Sequence, residues 1–387
     1  MTVFCATSRR IEPKENCMST ATASNKKADA TKQTTSLSAS LPDQTLVGWL
    51  HDMLLIREFE VRTMQAYSNA KIGGFCHVYI GEEACAVGAI ACVNPDDPIV
   101  TAYRDHGHAL ARGMDPGACM AEMYGKITGC AKGKGGSMHM FDKPHHLYGG
   151  HGIVSAQTPL GAVLAFAVKY QHEVMNKGAK KVALCFLGDG ALNQGALHEA
   201  MNLVGLFGLP VIYIVENNGY SMGTEIHRGT TQADDLTKKA DAYGIRSATI
   251  DGMDIRTIYD QFKPIVDECR ENSRPAFIDL HTYRYHGHSM SDPQKYRTKD
   301  EVNEIKKRDS IALLAAHLMD ERSVLTEDAF KAMQKDVKKM VKTAIQFAEQ
   351  SPAPAVDPEL YSDVYANPQP NLSPIQDYTQ GAENPLL

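Results

Sequence analysis

No run of apolar residues approaches the roughly 18 that a membrane-spanning helix needs, so no membrane segment is expected. Nor is there an excess of positive charge. The 40 Lys and Arg face 46 Asp and Glu, for a formal charge of -6, and no nucleic-acid footprint is visible. The nine cysteines contain no CxxC pair and are odd in number. That fits scattered reduced thiols in an intracellular protein better than a disulfide framework. Cys85 and Cys92 fall on an apolar pattern and are expected in the core. HExxH, the Walker spacing GxxxxGK[ST] and internal repeats are all missing. The H-x-H pairs His106/His108 and His286/His288 therefore lack the partners of a zinc site. The Lys- and Gly-rich stretch 132–136 reads as structural or as a subunit contact, not as a phosphate loop.

Residues 1–43 also lack apolar periodicity. A segment so rich in Ser, Thr, Ala and Lys cannot bury enough surface to offset its ordering entropy, and it has no signal-peptide core. Arg9 and Arg10 hint at an organelle transit peptide, but Glu12, Glu15 and Asp29 argue against one. A disordered extension over 1–43 is expected, then one α/β domain over 44–350 and a Pro-rich surface tail over 351–387.

What is present is alternation. "LVGWLHDMLLIREFEVRTMQAY" and "GEEACAVGAIACV" read as helices, "DPIVTAY" as a strand ending at Tyr103, and "DPGACMAEMYGKI" as a helix. A long Gly-rich stretch, 131–161, reads as an irregular functional loop. From there helices alternate with strands that are apolar throughout: "KVALCFLG", "PVIYIVEN", "RSATI" and "PAFIDLHTYR". "DLTKKADAYG" reads as a helix between the second and third of these, and two more helices are expected near 300–319 and 326–350. The fold class is thus α/β, a mostly parallel sheet with helices on both faces and extra C-terminal helices.

Within this frame "CFLGDGALNQG" places Asp189 between two glycines just beyond a strand. Gly-rich turns there usually cradle phosphate, which a carboxylate should repel. The strand–helix–strand unit 182–216 resolves the conflict. It brings Asp189 and the Asn217–Asn218 pair to adjacent strand ends, where ligands of such sheets bind. A carboxylate, an amide and backbone carbonyls are hard oxygen ligands suited to Mg²⁺ or Ca²⁺. A bound cation inverts the local charge logic, so a phosphate becomes acceptable beside Asp189. A nicotinamide-dinucleotide turn is the rival reading, with Glu216 as its ribose-binding acid, but Asn193 stands where the third glycine belongs.

GDG at 188–190, 26 residues, then NN at 217–218 resembles the thiamine diphosphate motif. "GFCHVYIGEEA", "TAYRDHGH", "CAKGKGGSMHM", "YGGHGIV", "ENNGYSMGT", "DGMD" and "YRYHGHSMSDP" follow in the order of the alpha-subunit family of the pyruvate dehydrogenase first component. The resemblance spans about residues 46–350. It implies thiamine diphosphate and Mg²⁺ as cofactors, and an α2β2 heterotetramer whose beta subunit supplies the glutamate that activates the cofactor ring. It also implies pyruvate as substrate, and delivery of the two-carbon unit to a lipoyl group on the lipoyl domain of the acyltransferase component. Branched-chain 2-oxoacid and acetoin dehydrogenases share the same core and are the alternatives.

The resemblance further implies residue roles. Asp189 and Asn218 match the metal ligands, and Tyr220 the ligand that uses its backbone carbonyl. Tyr103 and Arg104 match the diphosphate grip, Gly190 and Ala191 the phosphate turn, and Gly150, Gly152 and Val154 the loop along the aminopyrimidine. His288 matches the loop histidine at the cofactor end, and His77 the histidine near substrate, both as catalytic candidates. Ser289 and Ser291 stand in the loop that carries regulatory phosphorylation in animal members, but the second regulatory serine is missing and Glu225 replaces the third. A bacterial-type, cytoplasmic enzyme is therefore expected, with mitochondrial matrix or plastid as alternatives.

Overall fold

The computed structural model describes residues 36–359 and 362–363. Most of the expected N-terminal extension, and most of the tail beyond 359, lie outside the described residues. Ser36 and Ser38 already bond to Asp260, through Ser36 Oγ at 2.6 Å and Ser38 N at 2.6 Å. Helix α1 (Asp43–Ser68) follows and buries Leu46, Leu50, Met53 and Phe59. Helix α2 (Glu83–Ala91) is buried on nearly every side. Its small residues are explained by Gly88, where a Cβ would stand 3.0 Å from Ile258.

Next come β1 (Ile99–Ala102), α3 (His106–Ala111), α4 (Pro116–Met123), β2 (Leu147–His151), α5 (Gln157–Glu173), β3 (Ala183–Gly188), α6 (Gly195–Phe207) and β4 (Val211–Asn217). A two-residue ribbon, β5 (Tyr220–Ser221) with β6 (Thr224–Glu225), leads to the single turns α7 (Ile226–Gly229) and α8 (Lys238–Asp241). Then β7 (Arg246–Asp251), α9 (Ile255–Asn272), β8 (Ala276–His281), α10 (Lys299–Lys306), α11 (Ser310–Ala316) and α12 (Glu327–Gln350) complete the order, with one turn at Val356–Glu359.

Six strands form one sheet in the order β2-β1-β3-β4-β8-β7, and every pairing is parallel. Its two faces carry separate cores, as alternation along a strand requires. Leu184, Phe186, Ile212 and Ile214 pack toward α1, α2 and α9, whereas Ala183, Cys185, Leu187, Val211 and Tyr213 pack toward α5 and α6. Full burial of each large apolar side chain contributes roughly 1.5–3 kcal/mol. Cys85 and Cys92 are buried in the first core, and the seven cysteines of the described residues are free thiols. No described helix is long and apolar enough to cross a membrane.

The topology locates the site. From β1 the chain moves to the β2 edge, and from β3 it moves the other way, to β4. The crevice beyond the carboxyl ends of β1 and β3 is therefore the switch point where such sheets bind ligands.

Three expectations need correction, and one helix went unread. Part of the loop 131–161 is strand β2, hidden by the glycines of "LYGGH". Helix α3, six residues long, gave no periodic signal. The helix expected over 235–244 is one turn, Lys238–Asp241. The helix expected over 300–319 breaks before Ser310, where Asp309 accepts the Ile311 and Ala312 amides and also binds Arg57.

Candidate functional site

Strands β3 and β4 are in register, so that Gly188 stands beside Glu216. The GDG turn and the Asn pair therefore leave the sheet side by side. Asn217 and Asn218 then divide the work. Asn217 donates from Nδ2 to Asp279 Oδ1 at 2.9 Å and accepts from Gly219 N, which ties the end of β4 to β8. Gly219 adopts φ 79, a turn that frees Asn218 to face inward. Ser221 beyond it packs on the GDG turn so closely that a Cβ on Gly190 would stand 2.8 Å from the Ser221 Cβ. At Gly188, by contrast, φ is -82 and nothing lies within 4 Å of a Cβ position, because that space is the cavity.

The cavity is about 290 Å³ and is lined by Tyr103, Arg104, Asp189, Asn218 and Arg284, among others. Val154, Gly190, Ala191, Tyr220 and His288 complete the expected residues on its wall. A second, more apolar cavity of about 890 Å³ adjoins it and shares Tyr103, Val154, Met222 and His288. His77 and Gly152 line this outer chamber. Gly150 lines neither. It sits within β2, where a Cβ would strike Asp105 and the Met138 carbonyl, and its own carbonyl faces His139 Nδ1 at 2.9 Å.

Asp189 is 2 % exposed, and its Oδ2 has no hydrogen-bond partner among the described residues. Burial pushes its carboxyl up to about 6, against the pull of Arg284. Arg104 is anchored by the carbonyls of Val78 (2.7 Å) and His288 (2.8 Å). Arg284, 2 % exposed, is anchored by the carbonyls of His286 (3.0 Å) and Met222 (3.2 Å) and by the Tyr296 hydroxyl (2.9 Å). Two fixed guanidiniums thus face the same space. The Tyr220 phenol turns away to Glu301 at 2.9 Å, which leaves its backbone at the cavity.

The rings of His77, Tyr103 and His288 cluster, with centroids 4.7 Å (His77 to Tyr103) and 5.1 Å (His77 to His288) apart. Burial, reinforced by Arg104, lowers His77 to about 2 and His288 to about 3. Both are neutral imidazoles at physiological pH in this state, so a standing positive charge is not what they contribute here.

Sequence reasoning missed Glu82 and Arg284, although both lie inside quoted motifs. It also missed Gln157, Gln194 and Ser221 on the inner wall. The rival dinucleotide reading has its acid on the inner cavity's wall, but not free there. Glu216 is engaged by the Tyr79 hydroxyl, and its Oε1 lies 3.0 Å from His108 Nε2 without hydrogen-bond alignment. In the Lys- and Gly-rich stretch, the amides of Ala131, Gly133, Gly135 and Gly136 all donate to the buried Glu122 carboxylate at 2.7–3.1 Å. The stretch is structural, as expected.

Fold and site together define a class: a parallel α/β enzyme chain with a cavity at its topological switch point that holds a buried carboxylate and two guanidiniums. The chain belongs to the dehydrogenase E1 component family, whose model matches residues 51–357. It is similar to the pyruvate dehydrogenase E1 component subunit alpha of Rickettsia prowazekii, at 48% identity over 315 residues, which covers 81% of this chain and 94% of that one. The subunit alpha of Rhizobium meliloti is 47% identical over 314 residues, covering 81% and 88%. The alpha-3, chloroplastic subunit of Oryza sativa is 37% identical over 321 residues, covering 82% and 75%.

Proposed function

We propose that this chain is the alpha subunit of a pyruvate dehydrogenase first component, and that its inner cavity holds thiamine diphosphate with Mg²⁺. One observation carries the site assignment: a buried aspartate with an unpartnered oxygen shares a cavity with Asn218 and two fixed guanidiniums. The donor set fits the group. Asp189, Asn218 and the Tyr220 carbonyl are the hard oxygens that Mg²⁺ takes, and the remaining shell is left to phosphate and water. Arg104, Arg284 and Tyr103 are placed to grip a diphosphate, and the gap beside Gly188 admits it. A diphosphate carries about three negative charges, which the cation and the guanidiniums together offset.

When bound, thiamine diphosphate supplies the electron sink for decarboxylation of a 2-oxoacid. The protein's part is binding, orientation and exclusion of water. Val154 and Gly152 line the passage from the polar to the apolar chamber. His77 and His288, neutral and packed with Tyr103 on the wall of the outer chamber, are suited to orient substrate there through neutral hydrogen bonds. The two-carbon unit left after loss of carbon dioxide then passes to a lipoyl group of the acyltransferase component, whose disulfide is reduced as the unit is oxidised to an acetyl thioester.

A beta subunit is the partner this reading requires. Its support is an unusually apolar surface at and beside the cavity mouth. Ile153, on the outer chamber's wall, is 76 % exposed, and Val163, Phe166 and Tyr170 of α5 and Leu206 of the neighbouring α6 are exposed as well. The bacterial relatives support a cytoplasmic location. Ser289 and Ser291, with hydroxyls 3.0 Å apart at the outer chamber, are where added phosphate would obstruct entry.

The test is co-expression with a beta subunit and measurement of turnover on pyruvate, 2-oxoisovalerate and acetoin. Pyruvate is expected to be fastest. Faster turnover of 2-oxoisovalerate or acetoin would overturn the substrate assignment. Loss of thiamine diphosphate binding without Mg²⁺ is also expected, and metal-independent binding would overturn the cavity assignment.

A further inference from the structure

The motif "GEEA" contains two adjacent buried glutamates that do different things. Glu83 points away from the cavity. It is held by Arg57 Nε and Nη2 and accepts the Gly81 amide at 3.0 Å, so each of its oxygens has a partner. Glu82 points into the inner cavity and is 1 % exposed. Its Oε1 accepts from Asn218 Nδ2 at 3.2 Å. Its Oε2 lies 3.6 Å from Arg104 Nε and has no hydrogen-bond partner among the described residues.

The contact with Asn218 has a chemical consequence. An amide has two ends of similar shape but opposite hydrogen-bonding character. A cation needs the oxygen end, and a flipped amide would present hydrogens to it. Oε1 of Glu82 accepts from the nitrogen end of Asn218, and a carboxyl group keeps an accepting oxygen in either protonation state, so this contact leaves the amide oxygen for the other side. The second restraint is weaker: Tyr220 N reaches Asn218 Oδ1 at 3.3 Å, and a cation would compete for that oxygen.

We propose that Glu82 is a positioning residue that fixes the amide of Asn218 with its oxygen turned toward the divalent cation. This rests on the reading of the inner cavity as the site of Mg²⁺ and thiamine diphosphate. In this role Glu82 is not itself a ligand of the cation. It acts through Asn218, and its effect is therefore on metal affinity.

The test uses the assembled alpha–beta complex. Thiamine diphosphate is held at a fixed concentration, Mg²⁺ is titrated, and the ligand-induced rise in melting temperature is followed. Glu82→Ala and Glu82→Met both remove the acceptor, and Met keeps most of the volume. Each is expected to raise the Mg²⁺ concentration for half-saturation by about tenfold, the upper scale of one hydrogen bond. Glu82→Gln retains a carbonyl acceptor and is expected to stay within about threefold of the parent. The melting temperature without ligand, measured alongside, separates binding from folding. Unchanged Mg²⁺ dependence in Ala and Met variants would overturn the proposal. So would an equal loss of diphosphate affinity at every Mg²⁺ concentration, which would route the effect through Arg104. Asp189→Ala separates the two readings. If it abolishes the Mg²⁺ dependence while the Glu82 variants leave it intact, only the positioning role fails. If Asp189→Ala leaves the dependence intact, the cavity assignment fails with it.

Discussion

Glu122 and Asp189 are both buried carboxylates set among glycines, and they are opposites. Glu122 receives four backbone amides from the loop 131–136 and is completely buried. Asp189 sits at the end of β3 with one oxygen unpartnered. Glycine serves a different end in each place. Around Glu122 it lets a loop fold back so that its amides converge. Beside Asp189 it leaves room. A carboxylate that the chain satisfies is part of the fold, whereas one that it leaves unsatisfied points to a missing charge. The outer chamber depends on the first, because the loop that Glu122 organises continues into Met138 and His139 on that chamber's wall.

The sharpest way to break the comparison is to remove each carboxylate. Glu122→Ala strands four amides at once. With roughly 1–3 kcal/mol for each buried group left unpaired, and some relaxation to water, a loss of about 4 kcal/mol in unfolding free energy is expected by denaturant titration. Glu122→Gln keeps one acceptor oxygen and should lose about half as much. If Glu122→Ala costs less than about 1 kcal/mol, the cage is not structural.

Asp189→Ala should do the reverse. Affinity for thiamine diphosphate with Mg²⁺ is expected to fall at least about 100-fold, near 2.7 kcal/mol, by calorimetry on the alpha–beta complex. The melting temperature of the unliganded protein should stay level or rise, because an unpaired buried charge is removed. A fall of several degrees would place Asp189 with Glu122 as a structural residue.

Arg284→Ala tests the residue that sequence reasoning passed over. A guanidinium aimed at a diphosphate should contribute about 1.5–3 kcal/mol, so a loss of roughly 10- to 100-fold in cofactor affinity is expected. Arg284→Lys should recover little, since the three anchoring contacts use the fork of the guanidinium. Full affinity in Arg284→Ala would leave Arg104 and Tyr103 as the grip.

That oversight shows how much was legible. The convergence of Asp189 and Asn218 followed from periodicity alone, because two fully apolar strands joined by one helix have few arrangements. Arg104 and the histidines came only through family resemblance. Arg284 and Glu82 were written in the same motifs, but nothing local marks a charged residue as buried. The partners of Arg284 include Met222, 62 positions away, and Glu82 meets Asn218 across 136 positions. Strand β2 was hidden for a different reason. Its "LYGGH" has the composition of a loop, and Gly150 is there because Asp105 leaves no room for a Cβ. The break at Asp309 did carry a signal, since an Asp followed by an apolar run is a helix start.

The smallest effect separates the two kinds of site by pH. His77 and His288 have folded values far below the ordinary 6.5, so the unfolded chain binds protons that the folded chain refuses. Their contribution to stability is complete above pH 6.5 and is lost as pH falls, by at most about 1.4 kcal/mol per unit for each histidine. His106 carries the opposite sign. Burial disfavours its charge, but the Glu60 carboxylate 3.0 Å away outweighs this and raises it. Its contribution is complete below 6.5 and is lost as pH rises through the folded value. Asp189 also opposes the cavity histidines, because its carboxyl, raised to about 6, makes the folded chain the better proton acceptor between about 4 and 6. The unliganded wild type should therefore show a shallow profile between pH 5 and 7, in which these slopes partly cancel. His77→Gln with His288→Gln should be more stable than wild type at pH 5 and no more stable at pH 7. His106→Gln should lose most at pH 5, where the lost ion pair would be complete. If all three variants shift the melting temperature by the same amount at both pH values, the cavity histidines titrate normally and their contrast with the satisfied interior disappears.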